Sequence, residues 1–155
     1  MKSTKHTASF SLDQPAGILF PLFSAEGEKR WVPGWDYENI LGSTELHEDY
    51  VFTTQNHDHA STQAIWLVKR YEPQNYRVQF YKVEPQDKIG IITVHCTETA
   101  PGQTLVEVTY EYIALSPKGD AFIEGFTASR YREFIGEWET LLTRYFESKT
   151  PDTAG

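Results

Sequence analysis

The chain has 155 residues, with 14 Lys and Arg against 22 Asp and Glu for a net charge of −8, and its length suits one domain. The acidic balance excludes the basic stripe that phosphate backbones need, so nucleic acid is not an expected partner. A lone cysteine, Cys96, excludes an internal disulfide framework and suits a reducing compartment, so the expected location is cytoplasmic.

The start, Met1 to His6, carries no apolar signal region, and no apolar run approaches the ~20 residues of a membrane span. Membrane insertion is therefore not expected. Aromatics make up 14% of the chain, as four Trp, nine Tyr and nine Phe. Each buries about 150–250 Å², which suggests wide gaps to fill or to line.

Residues 6–12 alternate as a first strand. Asp13 then precedes Gln14-Pro15, a helix start with Asp as cap. Pro21 interrupts the apolar run Ile18 to Phe23 and divides it into two short helices, near 14–20 and 22–30. Six further strands follow, near 37–41, 50–55, 62–71, 76–84, 88–97 and 104–115, all rich in β-branched and aromatic residues. Turn-forming stretches such as Leu41-Gly42-Ser43 and Pro101-Gly102-Gln103 separate them, so the strands form an antiparallel meander.

The last strand shows its faces plainly: Val106, Val108, Tyr110 and Tyr112 on one side, Glu107, Thr109 and Glu111 on the other. A three-residue loop at Pro101-Gly102-Gln103 aligns this dry face with Ile92, Val94 and Cys96. A loop changed by one residue turns His95 inward beside Tyr110 instead. The first register is preferred.

Beyond Ser116-Pro117-Lys118-Gly119 the period becomes helical. Phe122, Phe126, Phe134, Trp138, Leu141 and Tyr145 form a stripe widened by Ile123, Ile135 and Leu142. About 30 residues at ~1.5 Å rise predict one helix of roughly 45 Å, with Gly125 and Gly136 as bends or close approaches. Residues 1–149 read as one domain and 150–155 as a disordered tail.

Several words stand within this order: Ala25-Glu26-Gly27-Glu28 running to Trp31-Val32-Pro33-Gly34-Trp35, then Val51-Phe52-Thr53-Thr54, Ile65-Trp66-Leu67-Val68 and Tyr71-Glu72-Pro73. Thr104 to Tyr110 and Ala114-Leu115-Ser116-Pro117-Lys118-Gly119 complete the set. Together they resemble the START-like, birch-allergen-like (SRPBCC) superfamily, the polyketide cyclase/dehydrase and lipid-transport group, in its small bacterial members. The resemblance implies an α+β helix-grip fold, with a curved sheet of about seven strands around a long C-terminal helix and a cavity between them. It implies hydrophobic ligands and no universal catalytic motif, so no catalytic residue or cofactor is carried over.

The cavity lining expected here is Trp35, Trp66, Phe80, Val94, Cys96, Val108, Tyr110, Tyr112, Phe122, Phe126 and Arg130. Tyr110, Tyr112 and Arg130, with His95 in the other register, form a candidate polar end. Arg130 otherwise snorkels to the sheet edge or pairs with a strand carboxylate. Trp31 and Trp35 either guard the cavity mouth or, the preferred reading, plug it. Cys96 beside His95 reads as a core residue, because neighbours on a strand face opposite ways. His57-Asp58-His59 has metal-ligand types but lacks a third ligand, and reads as a solvated loop; no metal is expected.

The preferred function is non-enzymatic binding or transport of a small hydrophobic molecule (lipid, polyketide or aromatic). A cyclase or aromatase is the second reading. The third is an interaction module of the chaperone-activating type, with either Trp66 or, on the opposite face of the strand, Ile65 and Leu67 as an apolar patch able to form a homodimer.

Overall fold

The computed structural model describes residues 2–41, 44–55 and 63–149. Gly42-Ser43 of the expected turn, the His57-Asp58-His59 cluster and the tail at 150–155 lie outside those residues.

The elements are β1 (Ser3–Leu12), α1 (Ala16–Leu19), a 3₁₀ turn (Phe20–Phe23), α2 (Ala25–Glu28), β2 (Glu38–Leu41), β3 (Val51–Gln55) and β4 (Gln63–Glu72). A second 3₁₀ turn (Pro73–Asn75), β5 (Arg77–Glu84), β6 (Lys88–Ala100), β7 (Gln103–Ala114), α3 (Pro117–Gly125) and α4 (Ala128–Lys149) complete the chain. All seven strands join one antiparallel sheet in the order β1-β7-β6-β5-β4-β3-β2. This is the helix-grip fold expected from the sequence, with β1 closing against β7.

The preferred register holds: Ile92 pairs with Tyr110, Val94 with Val108 and Cys96 with Val106, all on the inner face. His95 lies on the outer face opposite Glu107. The β6–β7 turn is shorter than expected, two residues, Pro101 and Gly102, the glycine at φ 73°. A register shift between Glu98 and Ala100 absorbs the extra residue.

Three local expectations are corrected. Asp13 does not cap α1: it accepts from Gln103 Nε2 at 3.1 Å, and Ala16 N donates to the Glu98 carboxylate at 2.9 Å in its place. The two short helices are single turns joined by the 3₁₀ turn, because Pro21 permits no longer helix. The C-terminal helix is broken at Phe126 and Thr127, where Phe126 leaves helical geometry at φ −90°, ψ 69°. Thr127 Oγ1 then accepts from Arg130 N at 3.2 Å to start α4. Gly125 marks that break, whereas α4 runs unbroken through Gly136.

The core is the inner face of the sheet with Leu19, Phe20, Leu22 and Phe23 from the short helices and Tyr131, Ile135, Trp138 and Leu142 from α4. Along their backbones α4 approaches β1 most closely, and α3 approaches β7. The helices thus lean on the β1–β7 side of the sheet, leaving the inner face of β3–β5 to other partners. No described helix is long and apolar enough to cross a membrane.

Candidate functional site

Two groups of rings face each other inside the grip. On the helix side, Tyr110 and Tyr112 of β7 meet Phe126, Phe134 and Trp138 at centroid distances of 5.1 to 6.5 Å. Trp31 and Phe23 extend this wall by packing on Trp138 at 5.5 and 5.9 Å. On the far side, Trp66 gathers Trp35 at 6.2 Å, Phe52 at 5.4 Å and Phe80 at 6.0 Å. Among the described residues, no ring of one wall stacks on a ring of the other.

Between the walls runs a row of the sheet in register: Phe52, Trp66, Lys82, Gly90, Tyr112. Lys82 points inward, because it alternates with Val78, Phe80 and Glu84, all buried. Its Nζ lies 5.2 Å from the centre of the Trp66 ring. Gly90 leaves room beside it: a Cβ there would come within 2.9 Å of the Tyr112 ring.

From above, α2 delivers Glu28. Ser24 caps α2, its Oγ accepting from Gly27 N at 2.9 Å. The Trp31 and Trp35 indoles donate to Leu22 O and Ala25 O, each at 2.8 Å, and pin the same corner.

Glu28 and Lys82 are each enclosed by protein, yet each keeps part of its surface accessible. They sense each other's charge without a direct ion pair. Burial pushes the Glu28 carboxyl up to about 8, against a smaller opposing pull from Lys82. Burial lowers Lys82, with Glu84 and Glu28 opposing and Lys88 reinforcing that shift. Burial also holds the Tyr110 hydroxyl far above its usual range, with neighbouring Tyr112 and Glu28 adding to the effect.

Of the expected lining residues, Trp35, Trp66 and Phe80 gather on the far wall, and Tyr110, Tyr112, Phe122 and Phe126 gather on the helix side. Phe122 lies at the rim, 38% exposed. Val94, Cys96 and Val108 are buried in the packed floor, where burial lifts the Cys96 thiol to about 12. Arg130 is exposed instead of facing the cavity. The break at Phe126-Thr127 resets the helical phase, so Tyr131, not Arg130, turns inward and donates to Val108 O at 2.5 Å.

Of the two indoles expected at the mouth, Trp31 is buried against Phe23 and Trp138, while Trp35 is half-buried. Outside Trp31 and Trp138, a cleft of about 780 Å³ runs between Val32-Pro33 and the flank of α4. Glu28 and Lys82 were not singled out in the sequence. The available signal was the period of β5, which puts Lys82 and Glu84 on the dry face.

No model of a known protein family matches the chain, and no curated protein matches it. Among solved structures, it is similar to norcoclaurine synthase from Thalictrum flavum in complex with dopamine and hydroxybenzaldehyde. The TM-score is 0.65 at 11% identity, covering 88% of this chain and 83% of that one. It is similar to major latex-like protein 151 from Panax ginseng, with TM-score 0.66 and 16% identity over 96% of this chain and 98% of the other. A protein from Nitrosospira multiformis gives TM-score 0.63 and 12% identity over 98% and 100%. These likenesses bear out the birch-allergen-like, START-like resemblance at the level of fold.

Proposed function

We propose that this chain binds a small hydrophobic molecule in the space between its two aromatic walls, as a cytoplasmic carrier or sensor. The observation that carries the reading is the division of the inner rings into two groups with no ring pair between them among the described residues, and Lys82 on the inner face of the sheet between them. A space lined by rings with a few polar groups suits a ligand that is largely apolar and carries one polar end. The norcoclaurine synthase structure holds dopamine and hydroxybenzaldehyde on the same fold, so small aromatic molecules are a natural first class to screen.

Titration with the neutral probe N-phenyl-1-naphthylamine tests the reading. One saturable site is expected, with a Kd in the micromolar range and quenching of tryptophan fluorescence. Absence of saturable binding would refute it. Mass spectrometry of extracts from the natively purified protein then separates lipid from polyketide or other aromatic cargo.

A second reading is enzymatic, of the cyclase or aromatase kind. It is favoured by Glu28 and Lys82, since a carboxyl poised near neutral pH and an amine can exchange protons with a bound carbonyl compound. Turnover of a carbonyl substrate that disappears in Glu28→Gln would support it.

A further inference from the structure

A sheet with one face on the core ordinarily gives polar side chains to its other face, and part of this sheet does not. In register across β7, β6, β5 and β4, Ile113, Ile89, Val83 and Ile65 form one row on the outer face, away from the aromatic walls. Two residues further along, Ile91, Tyr81, Leu67 and Val51 form a second row across β6, β5, β4 and β3. The pleat fixes their outward direction, because the residues beside them in sequence, such as Tyr112, Phe80 and Trp66, are buried in the core. Ile65 and Ile113 are 39% and 36% exposed, and the others are partly exposed. Two adjacent apolar rows are a contiguous patch, which marks an interaction site more than scattered single residues do.

Beside these rows the same face turns charged, with opposite signs on opposite flanks. On β4, Lys69 and Arg70 are exposed; Lys69 Nζ donates to the Tyr81 hydroxyl at 3.0 Å, and a register shift sets Arg70 opposite Gln79. On β7, Glu107 and Glu111 border a hollow of about 250 Å³, with Lys5 on β1 and Arg77 on β5 at its sides. None of the ion pairs among the described residues uses Glu107, Glu111 or Arg70.

We propose that this outer face joins two copies of the chain, related by a twofold axis that runs along the strands between β5 and β6. That axis lays β7 of one protomer over β4 of its partner and keeps the rows in step, as a self-complementary interface requires. Ile113 then meets the partner's Ile65, Ile89 the partner's Val83, and Ile91 the partner's Tyr81. Glu111 lies over the partner's Leu67, and the partner's Lys69 and Arg70 enter the hollow between Glu111 and Glu107. A twofold axis across the strands would instead stack β7 on β7 and set the carboxylates of both protomers against one another. Five strands ~4.8 Å apart and four outward rows ~6.8 Å apart span about 24 by 27 Å, near the ~800 Å² per partner of a specific interface. The face lies on the far side of the sheet from the aromatic walls, so the proposal does not depend on the ligand-binding reading.

Light scattering behind size exclusion tests it, on native protein loaded at about 1 to 100 μM. Twice the chain mass is expected at the upper end, with a Kd of the order of 10 μM. Ile65→Lys is expected to stay monomeric throughout, with its circular dichroism unchanged because the side chain already meets solvent. Arg70→Glu and Glu107→Arg are each expected to weaken the dimer at least tenfold, and the two combined to restore it to within about threefold. A native chain that is monomeric at every concentration would overturn the proposal, as would a dimer that Ile65→Lys leaves intact. A dimer that Glu107→Arg strengthens would overturn it too, because that is the outcome for β7 stacked on β7. So would a monomer whose flotation with phosphatidylcholine vesicles Ile65→Lys abolishes, which would give the face to a lipid surface.

Discussion

Replacing Glu28 by Gln should stabilise the protein, and by an amount that depends on pH. In an unfolded chain this carboxyl loses its proton near 4.5, whereas the folded protein holds it to about 8. Between those values the folded state binds a proton that the unfolded state has released. The stability linked to that group is therefore full below pH 4.5 and is lost as pH rises through about 8. Each unit costs about 1.4 kcal/mol, so at pH 7 the burden reaches a ceiling of about 3 kcal/mol. Solvent screening of the partly exposed carboxyl reduces this to about 2 kcal/mol. Gln carries no such burden, keeps the shape and leaves the main-chain bonds from Trp31 N and Val32 N to Glu28 O intact. Lys82, whose proton folding disfavours, contributes the opposite slope to both proteins and largely cancels in their difference. Urea unfolding between pH 5 and 8.5 measures the gap. Glu28→Gln should match the native protein near pH 5, lead by about 2 kcal/mol at pH 7 and level off above pH 8. A gap that ignores pH, or a variant less stable at pH 7, would refute the reasoning.

Gly27→Ala puts a Cβ 2.2 Å from Pro21 O and 2.7 Å from Leu22 Cα, both backbone atoms; it should cost about 3 kcal/mol and lower the melting temperature in calorimetry by about 10 °C. Tyr131→Phe removes the hydroxyl that donates to Val108 O and should cost about 1–2 kcal/mol in urea unfolding. The Cys96 thiol, buried and lifted to about 12, should resist a thiol-specific chromogenic disulfide at pH 8 and react fully once urea unfolds the chain. His6 Nε2 donates to Phe126 O at 2.8 Å where the C-terminal helix breaks, so His6→Ala should speed amide exchange in α3 while leaving β5 and β6 protected, as read by mass spectrometry.

The hairpins and inner face were legible because a strand has one period and two faces. Glu107, Thr109 and Glu111 leave Val106 to Tyr112 a single orientation, and the register of β6 follows from it. The helix break was less visible. Phe122 and Phe126 belong to an apolar stripe, and periodicity is blind to a two-residue interruption between two helices that are both amphipathic. Only Gly125 followed by Thr127, with Arg130 N bonded to its hydroxyl, marks it, and misplacing that phase is what turned Arg130 inward. The charged pair was hidden for another reason. Lys82 stands at an inward position of β5, but a lysine in a strand ordinarily signals the wet face, and its counterpart comes from a one-turn helix that only tertiary packing brings near.

That pair also bears on whether the space is preformed. A shift of the α2 corner toward the sheet would let Glu28 and Lys82 close into a pair such as Glu84 and Lys88 make at 3.2 Å. Backbone packing prevents it. Gly27, next to Glu28, already lies so close to Pro21 O that a single carbon would not fit, and the Trp31 and Trp35 indoles tie the same corner to Leu22 and Ala25. Lys82 is fixed from below by its place in the sheet, opposite Trp66 on one side and Gly90 on the other. The two groups are held apart by elements that would have to unpack before they could meet. The corner that carries Glu28 and the strand that carries Lys82 are thus each set by their own packing, so a guest binding between the aromatic walls, as proposed, would have little ordering to offset.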